Sequence, residues 1–121
     1  MGLSLARLVA LAFCALGVGA LVAPKPSSRG YGLPSDDPTA LAFIRAMGAR
    51  DLALGLVVAA LARPESRAGL TSTIAVSTLV AVADFSLVVP RETVEARRAL
   101  VLHGSGVAGL LFLWALLRSG R

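Results

Sequence analysis

The sequence predicts an all-α integral membrane protein, a four-helix bundle formed by a single domain over residues 1–121, and three observations carry that prediction. Hydrophobic residues make up 56% of the 121 and charged residues only 16%, where an ordinary soluble domain has roughly a quarter charged. Mean hydropathy is correspondingly high, at +0.79. With the polar stretches set aside, the chain has room for four apolar segments of about 20 residues, the length that crosses a bilayer core as helix. Helix stop and start signals divide them at Pro24–Pro34, Arg63-Pro64 and Pro90. The transmembrane helices are therefore expected at about 4–23, 38–62, 66–89 and 94–117.

The first apolar run, Leu8 to Ala23 behind Arg7, reads as a span; a signal peptide cut after Ala20 is the alternative. Ala12, Ala15, Gly19 and Ala23 recur at spacings of three and four and predict a small-residue packing face. Two prolines and two glycines between Pro24 and Gly32 predict the end of that helix and a long loop, with Tyr31 and Leu33 as headgroup-level anchors. Asp37-Pro38 predicts the next helix start, the aspartate capping free amides and the proline at the first helical position. A short turn at Arg63-Pro64 makes the second and third helices antiparallel. The third carries Thr71, Ser72, Thr73, Ser77 and Thr78, whose hydroxyls are expected to bond back to their own helix. In the fourth, Gly104, Ser105, Gly106 and Gly109 make another small face and Trp114 an interfacial anchor.

Ionised side chains inside a span cost about 2.5–3.5 kcal/mol each on insertion scales, so those present need partners, water or a task. Arg45, Arg50 and Asp51 lie in the second helix, Asp84 in the third and His103 in the fourth. Taking the N-terminal face as side one, Asp84 falls about 9 Å and His103 about 8 Å from the side-two ends of their helices, with Arg45 at a similar depth and Arg50 and Asp51 a turn or two deeper. Arg45, Gly48, Asp51, Gly55, Ala59 and Ala62 share one face at spacings of three and four. These five ionisable groups are the predicted binding cluster. If it does chemistry, His103 is the natural proton carrier with Asp51 or Asp84 to orient it. Ser105, two residues from His103, faces the other way, so no nucleophile is indicated. One histidine and two carboxylates on separate helices do not form a metal-ligand pattern, and Cys14, a lone cysteine in an apolar run, excludes an internal disulfide.

The formal charge of +5 does not imply nucleic acid, because the basic residues sit at helix ends and in turns and leave no basic face. Membrane lipid headgroups are their expected counterions. Side one holds Arg7, Arg63, Arg67, Arg118 and Arg121, and side two Lys25, Arg29, Arg91, Arg97 and Arg98. This balance leaves orientation open and is compatible with dual topology and a homodimer.

Arg29-Gly-Tyr-Gly-Leu-Pro34, Gly48-Ala-Arg-Asp-Leu-Ala-Leu-Gly55, Asp84 and His103-Gly-Ser-Gly106 resemble an uncharacterised family of small four-span integral membrane proteins of bacteria and filamentous fungi, catalogued as a domain of unknown function. The resemblance covers nearly the whole chain. It implies the four-helix membrane fold and singles out Arg50, Asp51, Asp84 and His103, without implying an activity or a cofactor.

Three functions are consistent with this reading for a multi-pass protein of a plasma or inner membrane. In the first, the cluster forms a pocket for a lipophilic small molecule, with Arg50 on an anionic or carbonyl oxygen and His103 and Asp84 handling a proton. In the second, a structural or accessory subunit uses the ion pairs to lock its bundle. The third is a small proton-coupled transporter acting as a dimer, against which stands the absence of any acid in the first helix.

Overall fold

In the computed structural model, which describes residues 1–120, five α-helices follow one another: α1 Gly2–Val22, α2 Pro24–Gly30, α3 Pro38–Leu61, α4 Arg67–Val88 and α5 Val94–Arg118. A 3-10 turn at Pro64–Ser66 leads into α4. Arg121, assigned to side one on sequence, lies outside the described residues. Gly2–Val22, Pro64–Val88 and Val94–Arg118 are long and apolar enough to cross a membrane. The 24-residue α3 is long enough, at about 36 Å, but its Arg45, Arg50 and Asp51 set it apart. Three helices, not four, therefore qualify on length and composition. Their outward faces suit lipid, since Leu8, Leu11, Val76, Leu79, Leu111 and Phe112 are all exposed.

The expected loop after α1 is partly helical. Ala23 breaks α1 with φ −131° and ψ 69°, and Pro24 then opens α2 at a position where a missing N–H has no consequence. The end of α2 is a Schellman turn: Gly32 N–H donates to Arg29 O at 3.0 Å and Leu33 N–H to Ser28 O at 2.9 Å, around Gly32 at φ +81°. Asp37 caps α3 by accepting from Ala40 N–H at 2.8 Å.

The tightest packing is between α1 and α3, which run antiparallel with backbone against backbone from Gly48 to the end of α3. A Cβ on Gly17 would lie 2.5 Å from Leu52 N, one on Gly48 2.8 Å from Gly17 O, and one on Gly55 2.9 Å from Ala10 O. At the far end the Arg7 guanidinium reaches Ala62 O at 3.4 Å. The packing stripe of α1 is Ala6, Ala10, Gly17 and Ala20, all buried. Ala12 and Ala15 of the expected stripe are exposed. Small residues cover more than one face of α1, and only the positions of Gly48 and Gly55 on α3 decide which face is used.

Helices α4 and α5 form the other half. Residues from all four long helices fill an apolar core at side one, including Ala6, Val58, Leu70, Ile74, Leu110 and Leu113. At that end Arg67 of α4 donates to the last carbonyls of α5, Leu117 O at 3.0 Å and Leu116 O at 3.3 Å, where a cation also suits the helix dipole. The hydroxyls of Thr71, Ser77 and Thr78 bond back four residues to Arg67 O, Thr73 O and Ile74 O. Along α5 the inward positions follow a heptad stripe, Ala96, Ala99, then Leu110, Leu113 and Leu117, all buried. His103 and Gly106 occupy the two stripe positions in between, and there the bundle opens.

Introducing a side chain at the α1–α3 contact forces backbones apart, and overpacking of this kind costs about 1–3 kcal/mol. Gly48→Val should lower the thermal unfolding midpoint in detergent markedly, whereas Gly109→Ala, whose Cβ would meet nothing within 4 Å, should leave it unchanged or raised.

Candidate functional site

Adjacent residues on a helix point about 100° apart, and α3 uses that to place two charges on different neighbours. Asp51 faces the bundle interior and is only 3% exposed. Arg50 lies between interior and surface and extends toward α4. Its Nε donates to Asp51 Oδ1 at 2.9 Å, while Nη1 and Nη2 form a fork on Asp84 Oδ1 and Oδ2 at 3.1 and 2.8 Å. One guanidinium thus serves two carboxylates, and the bidentate geometry is the strong form of this pairing.

The remaining partner of Asp51 comes from the segment read as a surface anchor. Tyr31 is buried, and its hydroxyl donates to Asp51 Oδ2 at 2.6 Å. Burial first, and then the hydrogen bond to Asp51, push the Tyr31 hydroxyl above its ordinary pKa, which keeps it a donor. The Schellman turn makes this reach possible. A Cβ on Gly32 would lie 2.7 Å from Ala99 Cβ and 3.0 Å from Ala96 Cα, so only glycine lets the chain lie against α5 at this positive φ. Leu33 then packs on Val88, Ala96 and Ala99. His103 completes the arrangement: its ring stacks on that of Tyr31 with centroids 5.9 Å apart, and its Nε2 lies 3.2 Å from Tyr31 O.

The structure therefore brings together Arg50, Asp51, Asp84 and His103 and adds Tyr31, while Arg45 is exposed and stands apart. The reason is an overhang. Asp51 is thirteen residues into α3, yet it shares a guanidinium with Asp84, only four residues from the end of α4. About nine residues of α3, roughly 13 Å, thus extend past α4. Arg45, six residues before Asp51 or about 9 Å along the axis, lies toward that overhang. Its depth counted from the start of α3 was not its depth in the bundle.

Beside the cluster is a cavity of about 310 Å³ between α1, α4 and α5. Tyr31, Asp51, Asp84 and His103 form its polar end, and its walls include Val9, Phe13, Leu16, Val80, Ala81 and Leu110. The exposed lining residues Ala12 and Leu16 on α1 and Leu102, Gly106 and Gly109 on α5 form a mouth on the side of the bundle rather than at its end. Arg50 does not line it. Ser105 does, but its hydroxyl donates to Leu102 O of its own helix at 2.9 Å. Among the described residues, no group of three or more His, Cys, Asp or Glu could hold a metal ion.

Removing Arg50 strands two carboxylates, while neutralising Asp84 leaves the Arg50–Asp51 pair in balance. Breaking a buried pair by removing one partner costs about 3–5 kcal/mol. Arg50→Gln should therefore lower the thermal midpoint in detergent far more than Asp84→Asn. Tyr31→Phe keeps the ring stack but removes a hydrogen bond to a buried carboxylate, for an intermediate loss of about 1–3 kcal/mol.

In comparisons with known proteins, no curated protein and no solved structure matches the chain. One family model, described as a domain of unknown function (DUF4267), matches residues 10–118. The matched range holds the whole cluster, the cavity lining except Val9, and the Tyr31 turn. The protein is a member of the family described as Domain of unknown function (DUF4267).

Proposed function

We propose that the protein spans the membrane four times and binds a lipophilic small molecule in the lateral cavity. Support for the fourth span is the position of α3, antiparallel to α1 from the Ala20–Gly48 contact to the Arg7–Ala62 contact. Its two inner charges are paired with each other and with Asp84. A helix that lies alongside a span from Gly48 to its end, with Arg50 and Asp51 paired inside the bundle, crosses with it.

The observation that carries the binding role is the interruption of the α5 stripe. Leucines at 110, 113 and 117 fill the side-one core, but His103 and Gly106 replace apolar side chains where the cavity lies. An apolar chamber with a few convergent polar groups, at the lower end of the roughly 300–1,000 Å³ range of ligand sites, is the form of a small-molecule pocket. Its lateral mouth admits a ligand from the hydrocarbon region. A second reading, an ion-pair lock for the bundle, has its own support. Among the described residues, no buried side-chain nitrogen or oxygen lacks a hydrogen-bond partner.

Gly106→Leu separates the two readings. The added side chain completes the stripe and fills the chamber, and leucine is favoured over glycine in a helix by about 1 kcal/mol. For a binding protein, native mass spectrometry should show a small-molecule adduct on the wild type that Gly106→Leu loses, while the variant's thermal midpoint holds or rises. Equal spectra for the two proteins, with lipophilic compounds shifting neither midpoint, would leave only the lock.

A further inference from the structure

Resting on that binding role, the hydrogen-bond inventory of the polar end sets the chemistry of the ligand's head. We infer that the cavity takes a lipophilic amine in its protonated form, an apolar tail carrying an ammonium group. Three observations lead there.

The first is charge. Asp51 and Asp84 both line the cavity and share the one guanidinium of Arg50, which lies behind them and does not line it. With His103 neutral, one positive charge against two negative ones leaves the polar end with a formal charge of −1. In apolar surroundings such an excess calls for a cation.

The second is hydrogen-bonding capacity. His103 Nε2 faces a carbonyl, Tyr31 O, which can only accept. Neutral His103 therefore carries its proton on Nε2 and leaves Nδ1 as an acceptor. The Tyr31 hydroxyl already donates its proton to Asp51. What remains unused at this end is the second lone pair of the Tyr31 hydroxyl, those of the two carboxylates, and His103 Nδ1: acceptors throughout. A ligand head that donates fits this surface, and one that only accepts does not.

The third is access. The exposed mouth between Leu16 on α1 and Leu102 and Gly106 on α5 sits on a lateral, apolar face. A molecule that partitions into lipid by its tail can enter there and place its head against Asp51 and Asp84. The inference removes Arg50 from the ligand-holding role expected on sequence, because its Nε, Nη1 and Nη2 are all directed to the two aspartates.

The test compares three probes of one chain length, decylamine, 1-decanol and decanoate, by native mass spectrometry on the wild type, Asp84→Asn and Gly106→Leu. A charge-assisted hydrogen bond contributes about 1.5–3 kcal/mol, or roughly 10- to 150-fold in affinity. The wild type should bind decylamine by about that factor over decanol, with decanoate weakest. Asp84→Asn should reduce the amine's advantage to a few-fold at most while keeping decanol binding, and Gly106→Leu should lose all three. A wild type that binds decanol or decanoate as well as decylamine overturns the choice of amine and leaves the cavity as a binding site, and this comparison requires no variant to fold. If no probe binds the wild type more than Gly106→Leu, both the amine and the pocket are overturned. The mass of an adduct retained through purification distinguishes a free amine from an aminolipid inserting its head.

Discussion

The Arg50 guanidinium, held between Asp51 on its own helix and Asp84 on α4, is the interaction on which the rest of the arrangement depends. It sets the axial position of α3 against α4 and so produces the overhang at side two. It also allows a helix with a nearly inaccessible aspartate to pack in an apolar bundle. Without the guanidinium, two carboxylates would face one another in surroundings that cannot solvate them. With it, the excess is a single negative charge, at the wall of the chamber.

Two backbone features bring the remaining groups to that point. Glycines on α1 and α3 let the helix axes approach until backbone meets backbone, which turns Asp51 inward. On the other side, Gly32 reverses the chain after α2 and places Tyr31 between Asp51 and His103. The tyrosine is therefore a joint: its hydroxyl holds α3, and its carbonyl and ring hold α5. The cavity exists because α5 continues its inward stripe through His103 and Gly106 instead of two larger apolar residues. Close packing elsewhere in the bundle thus coexists with an open chamber beside the polar cluster.

Much of this was legible in the residues. Ionisable groups are rare in apolar helices, and distances from helix ends put Arg45, Asp84 and His103 at one depth with Arg50 and Asp51 a turn or two deeper, which marks the five as one cluster. The Asp37-Pro38 start follows from capping chemistry and needs no tertiary information. Arg45 stands outside that cluster because distance from a helix end equals depth only when the helices end level, and α3 does not end level with α4. Tyr31 lies where an aromatic residue usually serves as a headgroup anchor, yet its side chain is buried. Its signal was local: a glycine directly after it, at the position that ends a short helix, and then an apolar residue, Leu33. The α1 stripe could not be chosen from α1 alone, since its small residues fall on several faces. Likewise, three helices stand out as spans by composition, whereas the case for α3 depends on what it packs against.

The excess negative charge at the polar end requires Asp84 to be ionised beside the Arg50–Asp51 pair, and infrared difference spectroscopy tests that directly. The spectrum of the wild type minus that of Asp84→Asn, recorded at neutral pH in a lipid bilayer, should show the carboxylate stretches of an ionised side chain as the intensity lost on substitution. A lost carbonyl stretch of a protonated acid would instead mean that Asp84 is neutral, that the polar end carries no net charge, and that the ammonium ligand has lost its basis.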